Sequence, residues 1–412
     1  MRKESQPGQA PRSRARRRPR RRTRQRFCSS TAPARATSRG GCAVGEPLDV
    51  RLVLATSTGG VGAHVRALAR GLVERGDTVT VLGPASTEAQ FRFTETGAAF
   101  RPVEVSVVPR PASDVRAVLR LRRELRGADV VHAHGLRAGL VAGMALRAGV
   151  PYVVTWHNAL LATGAKRAVL ERMERYDARR ATVTLGVSPD LVERARAMGA
   201  RDARLANVVA PAPQPSTREG ADRRAEVRAE LGVGASPLVV AAGRLAPQKA
   251  YPVLLQAART WRDRPDRPLT VIAGEGPLRA ELQRRIDDDG LAVRLLGHRD
   301  DVPDLLAAAD VAVLPSRWEG RPLVVEETLR AGAPLVATAV GGVPEMVGDA
   351  ALLVPPDDPS ALAAAVVQLL DDPAERVRLS AAARERAAGF PTEDDTAAEA
   401  RRLYVELRNS LG

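Results

Sequence analysis

From about residue 49 onwards, the chain alternates short, almost wholly apolar segments with longer amphipathic ones. Strands buried on both faces of a parallel sheet have this continuous apolar character, and the amphipathic segments between them form helical crossovers. The predicted strands of the first set are residues 49–55, 78–82, 129–133, 152–156 and 182–187, and the helices between them include residues 61–75, 115–126 and 166–179. The pattern predicts an α/β fold with a doubly wound parallel sheet.

A proline-spaced segment divides this pattern into two halves. Residues 210–215 read Ala-Pro-Ala-Pro-Gln-Pro and a charged stretch follows, a composition typical of a semi-rigid linker. A second set of predicted strands comprises residues 238–242, 269–273, 292–296, 311–314 and 335–338. The stretch over residues 360–411 is helical only, with breaks at Pro373 and Pro391. A chain of 412 residues suits two domains of ordinary size, so we predict two doubly wound Rossmann-like domains facing across a cleft.

The strongly basic net charge comes almost entirely from one end of the chain. Residues 1–40 carry thirteen arginines and Lys3 against Glu4, which is +13 of the total +15. This tail has no apolar run to bury, so we expect it to be disordered. It could anchor the protein to nucleic acid or to an anionic membrane, but the arginine run over residues 11–26 contains no aromatic residue or recognised motif. We therefore favour a dispensable extension and expect no specific nucleic-acid partner.

The domain boundaries follow from these patterns. We predict a disordered Arg-rich tail over residues 1–47, a first domain over 48–209, a linker over 210–236, a second domain over 237–388 and a C-terminal helix over 389–412.

Cysteine usage and hydropathy suggest a compartment. Cys28 and Cys42 lie in or beside the tail, which leaves the folded part without disulfides or thiolate metal ligands and suits a reducing cytoplasm. No apolar segment reaches the ~18 residues that span a bilayer. We expect a cytoplasmic protein, with loose attachment to a membrane surface left open. Oligomeric state cannot be read from these features.

Cationic side chains lie where the first strand of the second set ends. Gly243 and Arg244 close that strand, and Lys249 follows at the start of the next helix. Lysine occurs only three times against sixty arginines, which points to a position that needs a compact ammonium group. We expect Arg244 and Lys249 to converge on a diphosphate and to neutralise the charge of a departing nucleotide. Two solvated surface cations are the alternative.

Two carboxylates form the second cluster of charged residues in this half. Glu319 lies in a loop, a helix begins near Pro322, and Glu327 lies about 7–8 Å along that helix. The spacing suits one carboxylate on a sugar and another on a ribose. Spacing alone cannot choose between Glu326 and Glu327. Because Arg330 is four residues after Glu326, we assign Glu326 to solvent and Glu327 to the site.

Glycines and histidines mark the strand ends of the first half. Gly59 and Gly60 follow the first strand, where a helix N-terminus favours an anionic group, although a purely structural turn is as good an explanation. His132 and His134 share one face of a strand. We expect His134, the last residue, to meet a ligand and His132 to be structural. His157 ends the next strand and could contact an acceptor, or could be structural.

The remaining motifs are open or negative. The turn Gly274-Glu275-Gly276 could admit a nucleotide base or phosphate, or could simply be tight. The acidic runs 287–289 and 300–301 indicate a solvated helix end and an N-cap rather than a Mg²⁺ site, and the histidines lack partners for zinc. We predict no metal and no cofactor.

Taken together, these residues resemble the family 4 retaining glycosyltransferases of GT-B fold, from about residue 48 to the C-terminus. The matching motifs in the second half are Gly243-Arg244-Leu245 with Lys249, Gly274-Glu275-Gly276, residues 309–316, Glu319 and Glu327 at E-x7-E spacing, and residues 341–345; those in the first half are Gly59-Gly60 and His132-Ala133-His134. Two positions depart from the family. Ala250 replaces the glycine that usually follows the lysine, and Arg321 stands where an apolar residue is common.

The resemblance implies a metal-independent, retaining transfer of a hexose-like sugar from a nucleoside-diphosphate sugar to a hydroxyl of a glycan, lipid or small molecule. The C-terminal helices would cross back to the first domain. The implied catalytic residues are His134, Glu319, Arg244 and Lys249, the donor-binding ones are Gly59, Gly60, Gly243, Gly274, Glu275, Gly320, Arg321, Pro322, Leu323 and Glu327, and His157 is the candidate for the acceptor. A sugar-nucleotide epimerase or hydrolase on the same fold is one alternative. A non-catalytic nucleotide-sugar-binding partner is the other.

Overall fold

The computed structural model describes residues 46–57, 59–209 and 221–411. Nearly all of the predicted tail and the first part of the predicted linker lie outside the described residues. Within the described residues, no helix is both long and apolar enough to cross a membrane.

The first domain is built on a seven-stranded parallel sheet. Its strands are β1 (Asp49–Leu54), β2 (Thr78–Gly83), β3 (Ala99–Pro102), β4 (Val130–His134), β5 (Tyr152–Trp156), β6 (Val183–Gly186) and β7 (Ala203–Leu205). Its helices are α1 (Gly60–Glu74), α2 (Ala85–Phe91), α3 (Pro111–Glu124), α4 (Leu136–Ala145), α5 (Gly164–Arg180) and α6 (Pro189–Ala197), with a 3₁₀ turn at Phe93–Thr96. The strand order is β3-β2-β1-β4-β5-β6-β7. Central strands β4 and β5 are buried at every residue, as their apolar sequences predict.

The second domain repeats the plan with six parallel strands. They are β8 (Leu238–Ala242), β9 (Leu269–Ala273), β10 (Val293–Gly297), β11 (Val311–Leu314), β12 (Leu335–Thr338) and β13 (Ala351–Val354). The helices are α7 (Ala221–Glu230), α8 (Tyr251–Ala258), α9 (Arg279–Asp288), α10 (Val302–Ala308), α11 (Leu323–Ala331), α12 (Val343–Val347), α13 (Pro359–Asp371), α14 (Pro373–Ala388) and α15 (Glu393–Leu411), with a 3₁₀ turn at Pro247–Lys249. The order β10-β9-β8-β11-β12-β13 reverses direction between β8 and β11, the place where doubly wound sheets bind ligands.

The predicted fold class is confirmed, and every strand predicted from the sequence is present. Of the five predicted strands in the second domain, four agree fully with the structure and the fifth, β10, is shifted by one residue. Three further strands, β3, β7 and β13, were not predicted, and each lies at an edge of its sheet. Edge strands are paired on one side only, and β3 and β7 each contain an arginine and lack the continuous apolar character of the central strands; β13 is apolar throughout and was overlooked.

Helix α7 occupies residues that the sequence analysis assigns to the linker. Arg223 bonds Asp304 over 2.7 Å, and Arg224 and Arg228 bond Asp310 over 2.8 and 3.0 Å. These contacts fasten α7 to the second domain. The predicted linker is therefore too long, because a charged helix that pairs with its own domain has the same composition as a solvated linker.

The last helix crosses to the first domain, as predicted. Helix α15 packs on α1, where a Cβ added to Gly71 would overlap Ala397. Arg401 pairs with the buried Asp77 over 2.9 Å. Residues at the C-terminus therefore help to build the first domain's core.

Candidate active site

A charged pair, Lys249 and Glu319, lies at the carboxyl edge of the second sheet. The two residues follow β8 and β11, which are neighbours, so their turns meet. The Lys249 Nζ donates to Glu319 Oε1 over 2.6 Å, and the Ser316 hydroxyl donates to the same oxygen over 2.6 Å. Both side chains are largely buried, with 17% and 7% exposed. The structure thus joins directly two residues that the sequence analysis places on different parts of a ligand.

Arg244, the second predicted cation, lies in the turn that leads from β8 to Lys249. Its side chain is exposed, and the described residues provide it with no ion-pair partner. Most arginines of the second domain are paired with carboxylates, so an unpaired guanidinium beside Lys249 is free to meet an anionic ligand.

The turn after Lys249 contains a backbone conformation that favours glycine. Ala250 has φ +48° and ψ +35° and is buried. A left-handed conformation costs an alanine about 1 kcal/mol or more relative to glycine. The turn therefore holds an alanine in a conformation that glycine adopts more easily, at some conformational cost.

The predicted donor glycines pack the turns after β8 and β9 against each other. Gly274 has φ +143°, and a Cβ on it would overlap the carbonyl of Gly243; a Cβ on Gly276 would overlap the carbonyl of Leu245. A Cβ on Gly243 would come 3.0 Å from the Tyr251 hydroxyl. Of the two explanations open from the sequence, these contacts favour tight packing of the turns.

Two other predicted donor residues are engaged elsewhere. Glu275 is exposed and accepts from Arg279 over 3.0 Å. The Arg321 guanidinium lies 5.3 Å from the centre of the Phe390 ring and 4.0 Å from Glu326, and burial lowers its pKa. Phe390 lies between α14 and α15, so Arg321 contacts the crossover segment. These contacts favour structural roles for both residues.

Helix α11 carries two adjacent glutamates in different environments. The prediction that Glu326 faces solvent is wrong, because its side chain is fully buried, although its predicted partner Arg330 does bond it over 2.6 Å. Sequence spacing revealed the pair but not that tertiary packing buries its carboxylate. Glu327 is partly buried, and burial together with the Glu326 charge raises its pKa to about 7.

The glycine loop of the first domain faces the start of α11. A Cβ on Gly60 would come 3.3 Å from Leu323 Cδ1, whereas one on Gly59 would meet open space. On the second domain, a Cβ on Gly320 would come 2.6 Å from Val187 and 3.3 Å from the His157 carbonyl. The loops that carry the predicted residues of both domains therefore meet across one cleft.

Four histidines cluster at the carboxyl ends of β4 and β5. His132 bonds Tyr404 through Nδ1 and Thr155 through Nε2, each over 2.6 Å, which fits the structural role predicted for it. His134 is buried, with Nδ1 3.4 Å from His157 Nε2. No described residue partners its Nε2. Burial and the neighbouring rings lower the pKa of His134 and His157, so both are neutral at pH 7.

Sequence reasoning missed His64 and Trp318. The His64 ring centre lies 5.5 Å from that of His134, and burial lowers the His64 pKa to about 4. Its position one turn into α1, after the glycine loop, was the available signal. Trp318, an aromatic residue directly before Glu319, packs into the first domain.

Comparisons with known proteins show the family of the chain. Residues 59–212 match the glycosyl transferase 4-like domain and residues 236–372 match the glycosyl transferases group 1 family. The chain is 30% identical over 391 residues to a D-inositol 3-phosphate glycosyltransferase of Corynebacterium urealyticum, covering 86% of this chain and 91% of that protein. The chain belongs to the group 1 glycosyltransferases.

A further relative and two solved structures are also similar to this glycosyltransferase. It is 32% identical over 295 residues to an alpha-D-kanosaminyltransferase of Streptomyces kanamyceticus, covering 66% of this chain and 74% of that one. HepE of Anabaena, solved with UDP, superposes with a TM-score of 0.74 at 19% identity, over 87% of this chain and all of HepE. WaaG, a glycosyltransferase of lipopolysaccharide biosynthesis, superposes with a TM-score of 0.67 at 17% identity, over 86% and 99%. The glycosyltransferase thus has the GT-B fold.

Proposed function

We propose that this glycosyltransferase moves a sugar from a nucleoside-diphosphate sugar to a hydroxyl group, with retention of the anomeric configuration and without a metal ion. The observation that carries the proposal is the Lys249–Glu319 pair at the cleft, 2.6 Å apart at the reversal point of the second sheet.

The cations support a diphosphate leaving group. Arg244 and Lys249 share one turn, and Lys249 is engaged by one carboxylate oxygen, which leaves further N–H donors for phosphate oxygens. Fixed cations that meet the developing charge are an effective way to speed departure of a nucleotide. HepE has been solved with UDP and with UDP-glucose, which supports a nucleotide sugar as the donor here.

The sugar would lie between Glu319 and His134. The carboxylate is held by Lys249 and Ser316 through one oxygen, which leaves the other able to accept from sugar hydroxyls. The buried Nε2 of His134 has no partner among the described residues, and buried polar atoms normally have one, so a bound hydroxyl would satisfy it. Glu327, further along α11, would accept from the ribose.

The same hydrogen bonds favour retention through the leaving group. A carboxylate fixed by two donors is suited to accept hydroxyl hydrogen bonds rather than to attack the anomeric carbon. His134 is neutral, so it is not the imidazolium acid that could protonate the leaving group. The departing diphosphate, on the same face as the incoming hydroxyl, would then take its proton.

The acceptor is proposed to be a hydroxyl of a small polyhydroxylated ring or glycan. Relatives of this chain are named for D-inositol 3-phosphate and for 2-deoxystreptamine, which makes these two compounds the first acceptors to test.

The test combines purified protein with UDP-, GDP- and ADP-sugars and an acceptor panel that includes both compounds. We expect release of one nucleoside diphosphate that depends on the acceptor, unchanged by EDTA. NMR of the product should show the anomeric configuration of the donor. An inverted product, or release that needs no acceptor, would replace the proposal with inverting transfer or hydrolysis.

A further inference from the structure

Trp318 belongs to the second domain by sequence but to the first by packing. It follows β11 and directly precedes Glu319, yet its indole is only 8% exposed and lies in the hydrophobic core of the first domain. Its Nε1 donates to Asp190 Oδ2 over 2.8 Å. Asp190 lies in the first turn of α6. A buried indole N–H normally finds such a partner, and here the partner is on the opposite side of the cleft.

The acceptor of this hydrogen bond is itself held in place. The Ser188 hydroxyl donates to the other carboxylate oxygen of Asp190 over 2.5 Å. Ser188 also lies close to the second domain, since a Cβ added to Gly342 would come 3.1 Å from the Ser188 side chain. Both oxygens of Asp190 are therefore engaged, and the group that receives Trp318 has a fixed position on the first domain.

The backbone of Trp318, in contrast to its side chain, is bonded to the second domain. Gln248 Nε2 donates to the Trp318 carbonyl over 2.8 Å, and the Arg317 N–H donates to the Gln248 carbonyl over 2.8 Å. Gln248 is the neighbour of Lys249, as Trp318 is the neighbour of Glu319. The Lys249–Glu319 pair thus sits beside a residue whose main chain follows one domain and whose side chain follows the other.

We infer that Trp318 and Asp190 are positioning residues that latch the first domain to the loop carrying Glu319. This inference rests on the proposed role of Glu319 in binding the donor sugar. Separation of the domains would pull the indole from its site and leave the Asp190 oxygen unpaired. When the domains are together, the latch holds the loop, and with it Glu319, in place. Small displacements of a group that contacts substrate are enough to slow catalysis strongly.

Three variants separate this role from simple packing. Asp190→Ala removes the acceptor, Asp190→Asn keeps an oxygen that can still accept, and Trp318→Phe keeps an aromatic ring without the N–H donor. Trp261→Phe is the control, because Trp261 is a buried indole in the second domain's core, among residues of α8 and α13.

The first readout needs no substrate. The chain has three tryptophans, so the full-length protein labelled with 5-fluorotryptophan should give three ¹⁹F resonances, and the one missing in Trp318→Phe belongs to Trp318. We expect Asp190→Ala to shift this resonance and raise its sensitivity to H₂O/D₂O exchange, with the other two unchanged. Asp190→Asn should leave it near its wild-type position. An unchanged Trp318 resonance in Asp190→Ala would overturn the latch even if no transfer activity were found.

The second readout uses turnover and UDP binding together. We expect Asp190→Ala and Trp318→Phe to lower kcat by ~tenfold or more, with the Kd for UDP changed less than about threefold, because the diphosphate cations stay in place. Asp190→Asn should recover most of kcat. The inference fails if the loss of kcat only follows the folded fraction, as expected for Trp261→Phe. Inactivity of the wild type with every donor would instead count against the proposed function.

Discussion

Lys249 and Glu319 lie 70 positions apart in the chain, and their side chains form a 2.6 Å ion pair in which Glu319 is 7% exposed. The pair joins the turns after two neighbouring strands. It fixes the position of the carboxylate, so its two members are expected to act as a unit.

The first prediction concerns the loss of either member. Lys249→Ala and Glu319→Ala should each lower turnover by more than ~tenfold while the protein stays folded, because the first removes a cation proposed to meet the leaving diphosphate and the second removes the carboxylate proposed to hold the sugar. The double variant should be little worse than either single one, since residues of one pair are not additive. Steady-state kinetics of the three variants checks this. Asp287→Ala, on an exposed helix end, is the control and should be silent; full activity in either single variant would refute its assignment.

The second prediction concerns the left-handed turn at Ala250. Ala250→Gly relieves the strain of φ +48° but loses a buried methyl group, so we expect a change in unfolding free energy of less than about 1 kcal/mol. The same substitution at Ala257, a buried position inside α8, should cost about 1 kcal/mol or more. Denaturant unfolding of both variants measures the difference. Equal losses at the two positions would show that the backbone at Ala250 is not strained.

The third prediction concerns pH and Glu327. Burial and Glu326 raise the Glu327 pKa from 4.5 to about 7, so the folded protein binds a proton there that the unfolded chain has already released. Stability should therefore fall as pH rises from about 4.5 to about 7 and then level off. Glu327→Gln should remove this contribution. Urea unfolding at pH 5 and pH 8 tests it, with the exposed Glu275→Gln as control; an equal pH dependence in wild type and Glu327→Gln contradicts the assignment.

Activity should show the opposite trend. If ionised Glu327 accepts hydrogen bonds from the donor, kcat/KM should rise as pH increases through about 7, and Glu327→Gln should not show this rise. A rise of kcat/KM that persists in the variant would be due to the titration of another group.

The fourth prediction separates two neighbouring histidines. Tyr404→Phe leaves buried His132 Nδ1 without its partner and should cost about 1–3 kcal/mol of stability, with kcat of the folded protein nearly unchanged. His134→Ala should lower kcat by ~tenfold or more with a smaller effect on stability, because it removes the Nε2 that is proposed to contact the sugar and that has no partner among the described residues. Thermal unfolding and kinetics on the same preparations give both numbers. The reverse pattern would exchange the two roles.

The fold was predictable because its central strands are apolar throughout, as in β8 and β11, and helices with caps and amphipathic faces separate them. Edge strands such as β7 were not predictable, because one unpaired side relaxes the demand for apolar residues. Helix α7 was assigned to the linker because its sequence is highly charged, and the carboxylates that pair with its arginines are distant in sequence. Nothing local in the sequence indicates such partners.

The site was predictable in its residue types and less so in its contacts. Lys249 was predicted because lysine is rare in this chain, and His134 because it lies at the end of a strand. The direct bond from Lys249 to Glu319 was not predicted, because it depends on the order of strands in the sheet. Glu326 was placed in solvent because i,i+4 pairs are usually exposed, and only the tertiary packing around it shows otherwise. The role of the Arg-rich tail stays a prediction.

The most direct test of the central claim uses calorimetry to measure how tightly a nucleoside-diphosphate sugar binds to the wild type, Lys249→Ala and Glu319→Gln. The account predicts micromolar binding of one donor by the wild type. Lys249→Ala should weaken both the donor and its free nucleoside diphosphate. Glu319→Gln should weaken the donor more than the free diphosphate, because it removes the carboxylate from the sugar while the new amide oxygen can still accept from Lys249. Equal binding of the donor by all three proteins would contradict the account.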